Sequence, residues 1–169
     1  MKIKLCLHNI RSTYNVGAIL RTAEGFGVSE VIFSGYTPRI HDPELLPHLR
    51  DKLDHQIGKT ALGAENLIKC NTTSDITEAI EEYHKQGWKI VGLENNISDD
   101  RLRLLNDPRL PQIIGDKVVL VLGEEVNGIP TSLYPCFDLF LEIPMHGRKE
   151  SFNVSVATGV ALYVLSILI

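Results

Sequence analysis

The chain has 169 residues, 44% of them hydrophobic and 22% charged, which predicts one globular domain over residues 1–169. Its three cysteines are far apart in the sequence, which argues against a disulfide framework and a zinc site, so we expect no metal. The formal net charge of −4 provides no general attraction to nucleic acids.

Five short segments rich in Ile, Val, Leu and Phe predict β-strands, and helical patterns or long connections separate most of them. This alternation predicts an α/β fold. Continuous apolar runs such as residues 118–122 favour a mainly parallel sheet that is flanked by helices. The predicted strands are residues 3–7, 30–33, 88–93, 117–122 and 139–143.

Two helices are predicted where apolar side chains recur at intervals of three and four residues. The first covers residues 15–26 and ends at Gly27, and the second covers residues 75–86. Prolines make long ordered elements less expected in residues 36–71 and 95–116.

Both chain ends bear on membrane association and location. The first eight residues alternate in polarity and lack the apolar stretch of a signal peptide, which predicts a cytoplasmic protein. Residues 154–169 are apolar on every side but shorter than the roughly 20 residues that span a membrane. We therefore expect no membrane association, and a final helix buried in the core or against a second subunit.

Three polar segments follow predicted strands, and each is more polar than a plain connection requires. They are residues 9–17, 123–130 and 143–155. If the strands are parallel, these segments converge at one edge of the sheet, where open α/β proteins bind their ligands. A pocket at that edge is the predicted functional site.

The segment from Gly123 to Gly128 has the glycine spacing of a phosphate-binding P-loop. That motif then requires Lys and Ser or Thr, where this chain has Ile129 and Pro130. Two adjacent carboxylates would also repel a triphosphate. The segment is therefore interpreted as a glycine-rich turn after a buried strand.

Two other motifs also fail. Gly25 and Gly27 close a helix instead of opening one, so they are not a dinucleotide fingerprint. Ser151, His146 and Asp138 could supply a serine hydrolase, but the sequence around Ser151 has no Gly-x-Ser-x-Gly turn.

The three polar segments, in this order, resemble the three motifs of the SpoU (TrmH) family of RNA 2′-O-ribose methyltransferases, in the SPOUT superfamily. The resemblance extends from Asn9 to Tyr163, and its middle part matches in pattern more than in residues. Phe152 replaces a more common leucine, and Glu124 replaces a small polar residue. The matched segments are residues 15–23, 122–130 and 143–157.

The resemblance implies a SPOUT-type fold with a C-terminal trefoil knot, S-adenosyl-L-methionine bound in the knot, and a homodimer. General topology rules would reject a threaded chain, so the knot is expected from the resemblance alone. The implied cofactor-binding residues are Leu122, Gly123, Ile143, Met145, Ser151 and Phe152. The implied catalytic residues are Asn15, Arg21, Glu125, Ser151 and Asn153.

Arg21 corresponds to the arginine that is often assigned as the base for the 2′-hydroxyl. A protonated guanidinium has no free lone pair, so such a role requires a strongly perturbed site or a relay through an RNA phosphate. The other interpretation is that Arg21 binds a phosphate and stabilises the developing alkoxide. Glu125 is expected to brace the loops or to contact Asn15 or the substrate ribose.

The expected substrate is RNA, with tRNA favoured over rRNA because the chain length is similar to that of small family members acting on tRNA. A non-catalytic RNA-binding protein that retains the fold is the alternative from another class. The candidate phosphate contacts are Arg39, Arg50, Lys52, Arg148 and Lys149.

Overall fold

Strands and helices alternate along residues 1–168, the part of the chain that the computed structural model describes. The strands are β1 (Lys2–His8), β2 (Glu30–Ser34), β3 (Cys70–Thr73), β4 (Lys89–Leu93), β5 (Leu102–Leu104), β6 (Lys117–Leu122) and β7 (Leu139–Glu142). The α-helices are α1 (Thr13–Gly25), α2 (Pro47–Ala61), α3 (Ile76–Lys85), α4 (Leu110–Ile114) and α5 (Val154–Ile167). Short 3₁₀ helices cover Ala64–Asn66 and Thr131–Cys136.

The seven strands form one sheet in the order β3-β2-β1-β6-β4-β7-β5. Every strand pairing recorded within residues 1–168 is parallel. The predicted α/β fold with a mainly parallel sheet is confirmed, and so are the five predicted strands. The two strands that were not predicted, β3 and β5, are short and lie at the two edges of the sheet, where a strand needs few apolar residues.

Side chains of the central strands alternate between two apolar layers. Leu5 and Leu7 of β1 pack in the layer that contains the buried faces of α1 and α5, whereas Cys6 packs in the opposite layer with Ile80 of α3. The sheet therefore has helices on both faces, and its central strands are covered by apolar side chains on both sides.

Close packing of α1 against α2 fixes the start of α1. A Cβ atom at Gly17 would lie 2.2 Å from the Ile57 carbonyl oxygen, so only glycine permits this approach. The Thr60 hydroxyl donates a hydrogen bond of 2.8 Å to the Tyr14 carbonyl oxygen across the same contact. The contact with α2 thereby fixes the first turn of α1.

The helix α2, which starts at Pro47, corrects the expectation that residues 36–71 contain few long ordered elements. It covers 15 residues. Pro47 lies in its first turn, where a backbone N–H has no partner within the helix, so the proline favours this start. The two helices predicted from apolar spacing are confirmed as α1 and α3. The helix α1 begins two residues earlier than predicted, because Ser12 caps it and accepts a hydrogen bond from the Asn15 amide.

The final helix, α5, has one buried and one exposed apolar face. Ala161, Leu162 and Leu165 are buried, whereas Val160 and Tyr163 are exposed. The prediction for residue 169 lies outside the described residues. None of the helices within residues 1–168 is long and apolar enough to cross a membrane.

Candidate active site

A cavity of about 300 Å³ lies where β4, β6 and β7 end. Because these strands are parallel, their carboxyl ends share one edge of the sheet, and the loops that follow them meet there as expected. The lining residues are Leu93, Glu94, Asn95, Asn96, Leu122, Gly123, Glu124, Glu125, Val126, Gly128, Ile143, Glu150, Ser151, Phe152, Asn153, Val154 and Ala157.

Asn15, in the first turn of α1, connects all three polar segments. Its side-chain Nδ2 donates to Glu125 Oε1 at 3.0 Å, and its Oδ1 accepts from Asn153 Nδ2 at 3.1 Å. Asn153 in turn caps α5, because its Oδ1 accepts from the Ser155 amide at 2.9 Å. One chain of hydrogen bonds therefore joins the starts of α1 and α5 to the loop after β6.

The Glu125 carboxylate also accepts from the backbone amides of Arg11 at 3.1 Å and Ser12 at 3.2 Å. Burial by itself would raise the pKa of Glu125, but the hydrogen bonds from Arg11, Asn15 and Ser12 outweigh it and lower the pKa. Glu125 is thus held as an anion, and it braces the strand-to-helix loop against the loop after β6.

Gly123 and Gly128 allow the loop after β6 to fold back tightly on itself. A Cβ atom at Gly123 would lie 2.3 Å from the Gly128 carbonyl carbon. Gly128 has φ +66, and a Cβ atom there would lie 2.3 Å from Glu94 Oε1. These two glycines are required by the close approach of the backbone to itself and to Glu94.

Glu94, directly after β4, was not among the predicted site residues. Its Oε2 accepts from the Ile129 amide at 3.0 Å. Burial raises the pKa of Glu94, and this hydrogen bond opposes the rise only in part. The available indication in the sequence was a run of three polar residues directly after a buried strand, the same pattern that marked the loop after β6.

Asn95 and Asn96 were also missed, and they hold the loop after β7. The Asn95 side chain donates to the Ile143 carbonyl oxygen at 3.0 Å and accepts from the Ile143 amide at 3.2 Å. Asn96 Nδ2 donates to the Glu150 carbonyl oxygen at 3.1 Å. Asn95 therefore satisfies both backbone polar groups of Ile143 with its side-chain amide.

The predicted site residues fall into two groups. Met145 is half-buried and Arg21 is exposed on α1, and neither residue lines the cavity. Asn15 does not line the cavity either, but it is hydrogen-bonded to two lining residues, Glu125 and Asn153. The predicted residues that line the cavity are Leu122, Gly123, Glu125, Ile143, Ser151, Phe152 and Asn153.

The predicted RNA contacts also differ among themselves. Arg39 forms ion pairs with Asp42 and Glu44, so its charge is already compensated. Lys52, on α2, is exposed. Within residues 1–168, no group of His, Cys, Asp and Glu side chains could hold a metal ion. The remaining predicted contacts are the half-buried Arg50 and the exposed Arg148 and Lys149.

The fold and the site together define an α/β protein with a candidate ligand cavity at the carboxyl edge of a parallel sheet. A family model described as the SpoU rRNA Methylase family matches residues 2–163. The chain therefore belongs to the SpoU methylase family.

Two solved structures share the fold, and one curated sequence is similar over most of this chain. The chain is 31% identical over 94% of its length to 23S rRNA (guanosine-2′-O-)-methyltransferase RlmB of Xylella fastidiosa, of which it covers 56%. It covers 55% of an AdoMet-bound rRNA methyltransferase from Sinorhizobium meliloti, with 96% of this chain matched, a TM-score of 0.74 and 22% identity. It covers 92% of a structure described as giving insights into the 2-OH methylation of C/U34 on tRNA, with 96% of this chain matched, a TM-score of 0.73 and 21% identity. The chain thus spans about half the length of the RlmB relative.

Proposed function

We propose that the chain is an S-adenosyl-L-methionine-dependent RNA methyltransferase that transfers a methyl group to a ribose 2′-hydroxyl. The observation that carries this proposal is the chain of hydrogen bonds from Glu125 through Asn15 to Asn153, which joins the three motif segments beside one cavity. Membership of the SpoU methylase family and the named activity of the RlmB relative support it.

The cavity suits this cofactor chemically. Leu122, Ile143 and Phe152 provide apolar walls for an adenosine and keep water from a reactive sulfonium. The carboxylates of Glu94 and Glu125 place negative charge where a cation would bind. When bound, S-adenosyl-L-methionine supplies an electrophilic methyl group.

The protein's own contribution is to position the ribose and stabilise charge. Ser151 and Asn153 are polar residues of the cavity lining, and the bond to Asn15 fixes the Asn153 amide. We assign Arg21 to an RNA phosphate and to the alkoxide that develops as the 2′-hydroxyl loses its proton. A base role for Arg21 would instead need a strongly perturbed site or a relay through an RNA phosphate.

We propose tRNA as the substrate. In support, this chain matches nearly all of the protein in the structure described by tRNA C/U34 methylation. An rRNA substrate is the second candidate, favoured by the named activity of the RlmB relative. Arg50, Lys52, Arg148 and Lys149 would bind phosphates.

We also propose a cytoplasmic location. The cysteines of the chain are free thiols, which suits the reducing conditions of the cytoplasm.

We also propose a homodimer and a knotted C-terminal region. Val156, Val160, Tyr163 and Ile167 form an exposed apolar stripe on α5 that a second copy would cover. The proposal of a knot rests on membership of the SpoU methylase family.

The test combines calorimetry with a methyl-transfer assay on RNA from cells that lack the protein. We expect cofactor binding and transfer to RNA, and an Arg21→Ala variant that binds the cofactor but transfers methyl groups at least about 100-fold more slowly. Cofactor binding without transfer to any RNA would favour a non-catalytic RNA-binding protein. A fully active Arg21→Ala variant would refute the role given to Arg21.

A further inference from the structure

A second cavity, of about 280 Å³, lies at the carboxyl ends of β2 and β3. The methyl-transfer proposal gives it no role. Phe33 and Thr72 form its floor at the strand ends, and the segment after β2 forms its wall. The wall residues that matter for recognition are Tyr36, Arg39, Asp42 and Glu44.

The two cavities open at the same edge of the sheet and are separated by the loop after β1. Arg11 in that loop contacts the first cavity, because its guanidinium forms an ion pair with Glu124. Tyr36 of the second cavity raises the pKa of Arg11. Arg11 is itself exposed. An RNA strand whose target ribose lies at the first cavity would pass Arg11 on its way to the second.

The polar groups of the second cavity suit a heterocyclic base better than a phosphate. Arg39 Nη2 lies 2.9 Å from Asp42 Oδ1 and 2.8 Å from Glu44 Oε2, so two carboxylates neutralise the arginine and would repel a phosphate. Carboxylate oxygens accept hydrogen bonds from the amino groups of bases. The buried Arg39 Nε has no hydrogen-bond partner within residues 1–168.

Tyr36 supplies the remaining element, an aromatic surface. Tyr36 is 55% exposed although it lines the cavity. Unpaired bases stack on aromatic side chains of this kind in single-stranded RNA recognition. A cavity near the lower size limit of small-ligand sites, roughly 300 Å³, suits a single base.

We propose that the second cavity binds an unpaired base of the substrate RNA close to the methylated nucleotide, with the base stacked on Tyr36 and its amino group donating to Asp42 or Glu44. The inference rests on the proposed function, since it makes the cavity a subsite of the same RNA. It restricts the substrate to an RNA loop or other unpaired segment, because paired bases cannot leave their stack without cost.

The test measures binding of fluorescein-labelled pentacytidylate and pentauridylate by fluorescence anisotropy, with no cofactor present. We expect pentacytidylate to bind more tightly, because uracil has no exocyclic amino group. Tyr36→Ala should weaken pentacytidylate binding roughly tenfold or more, whereas Tyr36→Phe, which keeps the ring, should stay within about threefold of the unmodified protein.

The matched control is Phe26→Ala. This substitution removes an aromatic side chain that is 37% exposed and lies at the C-terminal end of α1. It should leave binding unchanged, and melting temperatures check that each variant folds. Unchanged pentacytidylate binding by Tyr36→Ala, or no binding by the unmodified protein, would overturn the inference. Pentauridylate binding as tight as that of pentacytidylate would overturn the role of the carboxylates.

The assay also separates this inference from the proposed function. Pentacytidylate binding that depends on Tyr36, together with no methyl transfer to any RNA, would refute the methyltransferase proposal and support the base-binding cavity. Methyl transfer to RNA, together with pentacytidylate binding that does not depend on Tyr36, would refute only the base-binding cavity.

Discussion

Asn153 Nδ2 lies 3.1 Å from Asn15 Oδ1 and so joins the start of α5 to the first turn of α1 across 138 residues of sequence. The same Asn15 side chain donates to Glu125. Each of the three residues belongs to a different polar segment. Their contact shows that the segments form one structural unit, and it explains why each of them places polar side chains near a helix start.

Replacing Glu125 by Ala should lower the free energy of unfolding by about 1 kcal/mol at neutral pH, because water replaces only part of its bonds to the partly exposed amides of Arg11 and Ser12. Since its pKa is lowered in the folded protein, this stabilisation is present above the unfolded-state pKa and disappears as the pH falls through the folded-state pKa. Urea unfolding at several pH values measures the difference. The exposed Glu81→Ala serves as control, and equal stability of both variants at neutral pH would contradict the bracing role.

Asn95→Ala should weaken S-adenosyl-L-methionine binding about tenfold, because the loop after β7 loses both bonds at Ile143 and must be ordered by the cofactor instead. Asn95→Asp keeps the acceptor for the Ile143 amide and loses the donor, so it should have an intermediate effect. Calorimetry gives the dissociation constants. Asn66→Ala, at an exposed position in a 3₁₀ helix, is the control. Unchanged affinity of Asn95→Ala would show that the loop is held by other contacts.

Glu94→Gln should raise the melting temperature by a few degrees near pH 7.5. The buried carboxyl has a raised pKa, so ionising it costs the folded protein stability as the pH rises above the unfolded-state pKa. Glutamine avoids this cost and keeps an acceptor for the Ile129 amide. The gain should shrink as the pH falls and Glu94 takes up its proton. A variant that is less stable than the unmodified protein at pH 7.5 would contradict this account.

Tyr163→Asp should dissociate the proposed homodimer, because it places a charge in the exposed apolar stripe of α5. Tyr163 is 58% exposed in the single chain, so the substitution should leave its fold intact. Sedimentation velocity measures the mass in solution. Leu104→Asp, at the edge strand β5, is the control for adding a charge to an exposed apolar position. A monomeric unmodified protein would remove the basis of the proposal.

The sequence was sufficient for those parts of the molecule that depend on local pattern. Buried strands such as β6 have continuous apolar runs, and α3 has both a capping aspartate and the spacing of an amphipathic helix. It was insufficient where contacts between distant segments decide. The strands β3 and β5 exist because they pair at the sheet edges, and α2 was missed because Pro47 was interpreted as a helix breaker when it lies in the first turn.

The same distinction applies to the site. Residues with a motif, such as Gly123, Ser151 and Asn153, were predicted and line the cavity. Glu94 and Asn95 were not predicted, because their importance comes from the neighbouring position of β4 and β7 in the sheet, and the polar run after β4 belongs to no motif. The position of Arg21, exposed and outside the cavity lining, likewise depends on the orientation of α1.

The proposed acceptor of the methyl group is a ribose 2′-hydroxyl. The most direct measurement incubates the protein with methyl-deuterated S-adenosyl-L-methionine and RNA from cells that lack the protein, digests the RNA to nucleosides and locates the label by mass spectrometry. We predict the label on the ribose of one nucleoside. In a separate alkaline hydrolysis of the same RNA, we predict the label in a dinucleotide that resists cleavage because its 2′-oxygen can no longer attack the phosphate. Label on a base, or no label in any RNA, would contradict this proposal.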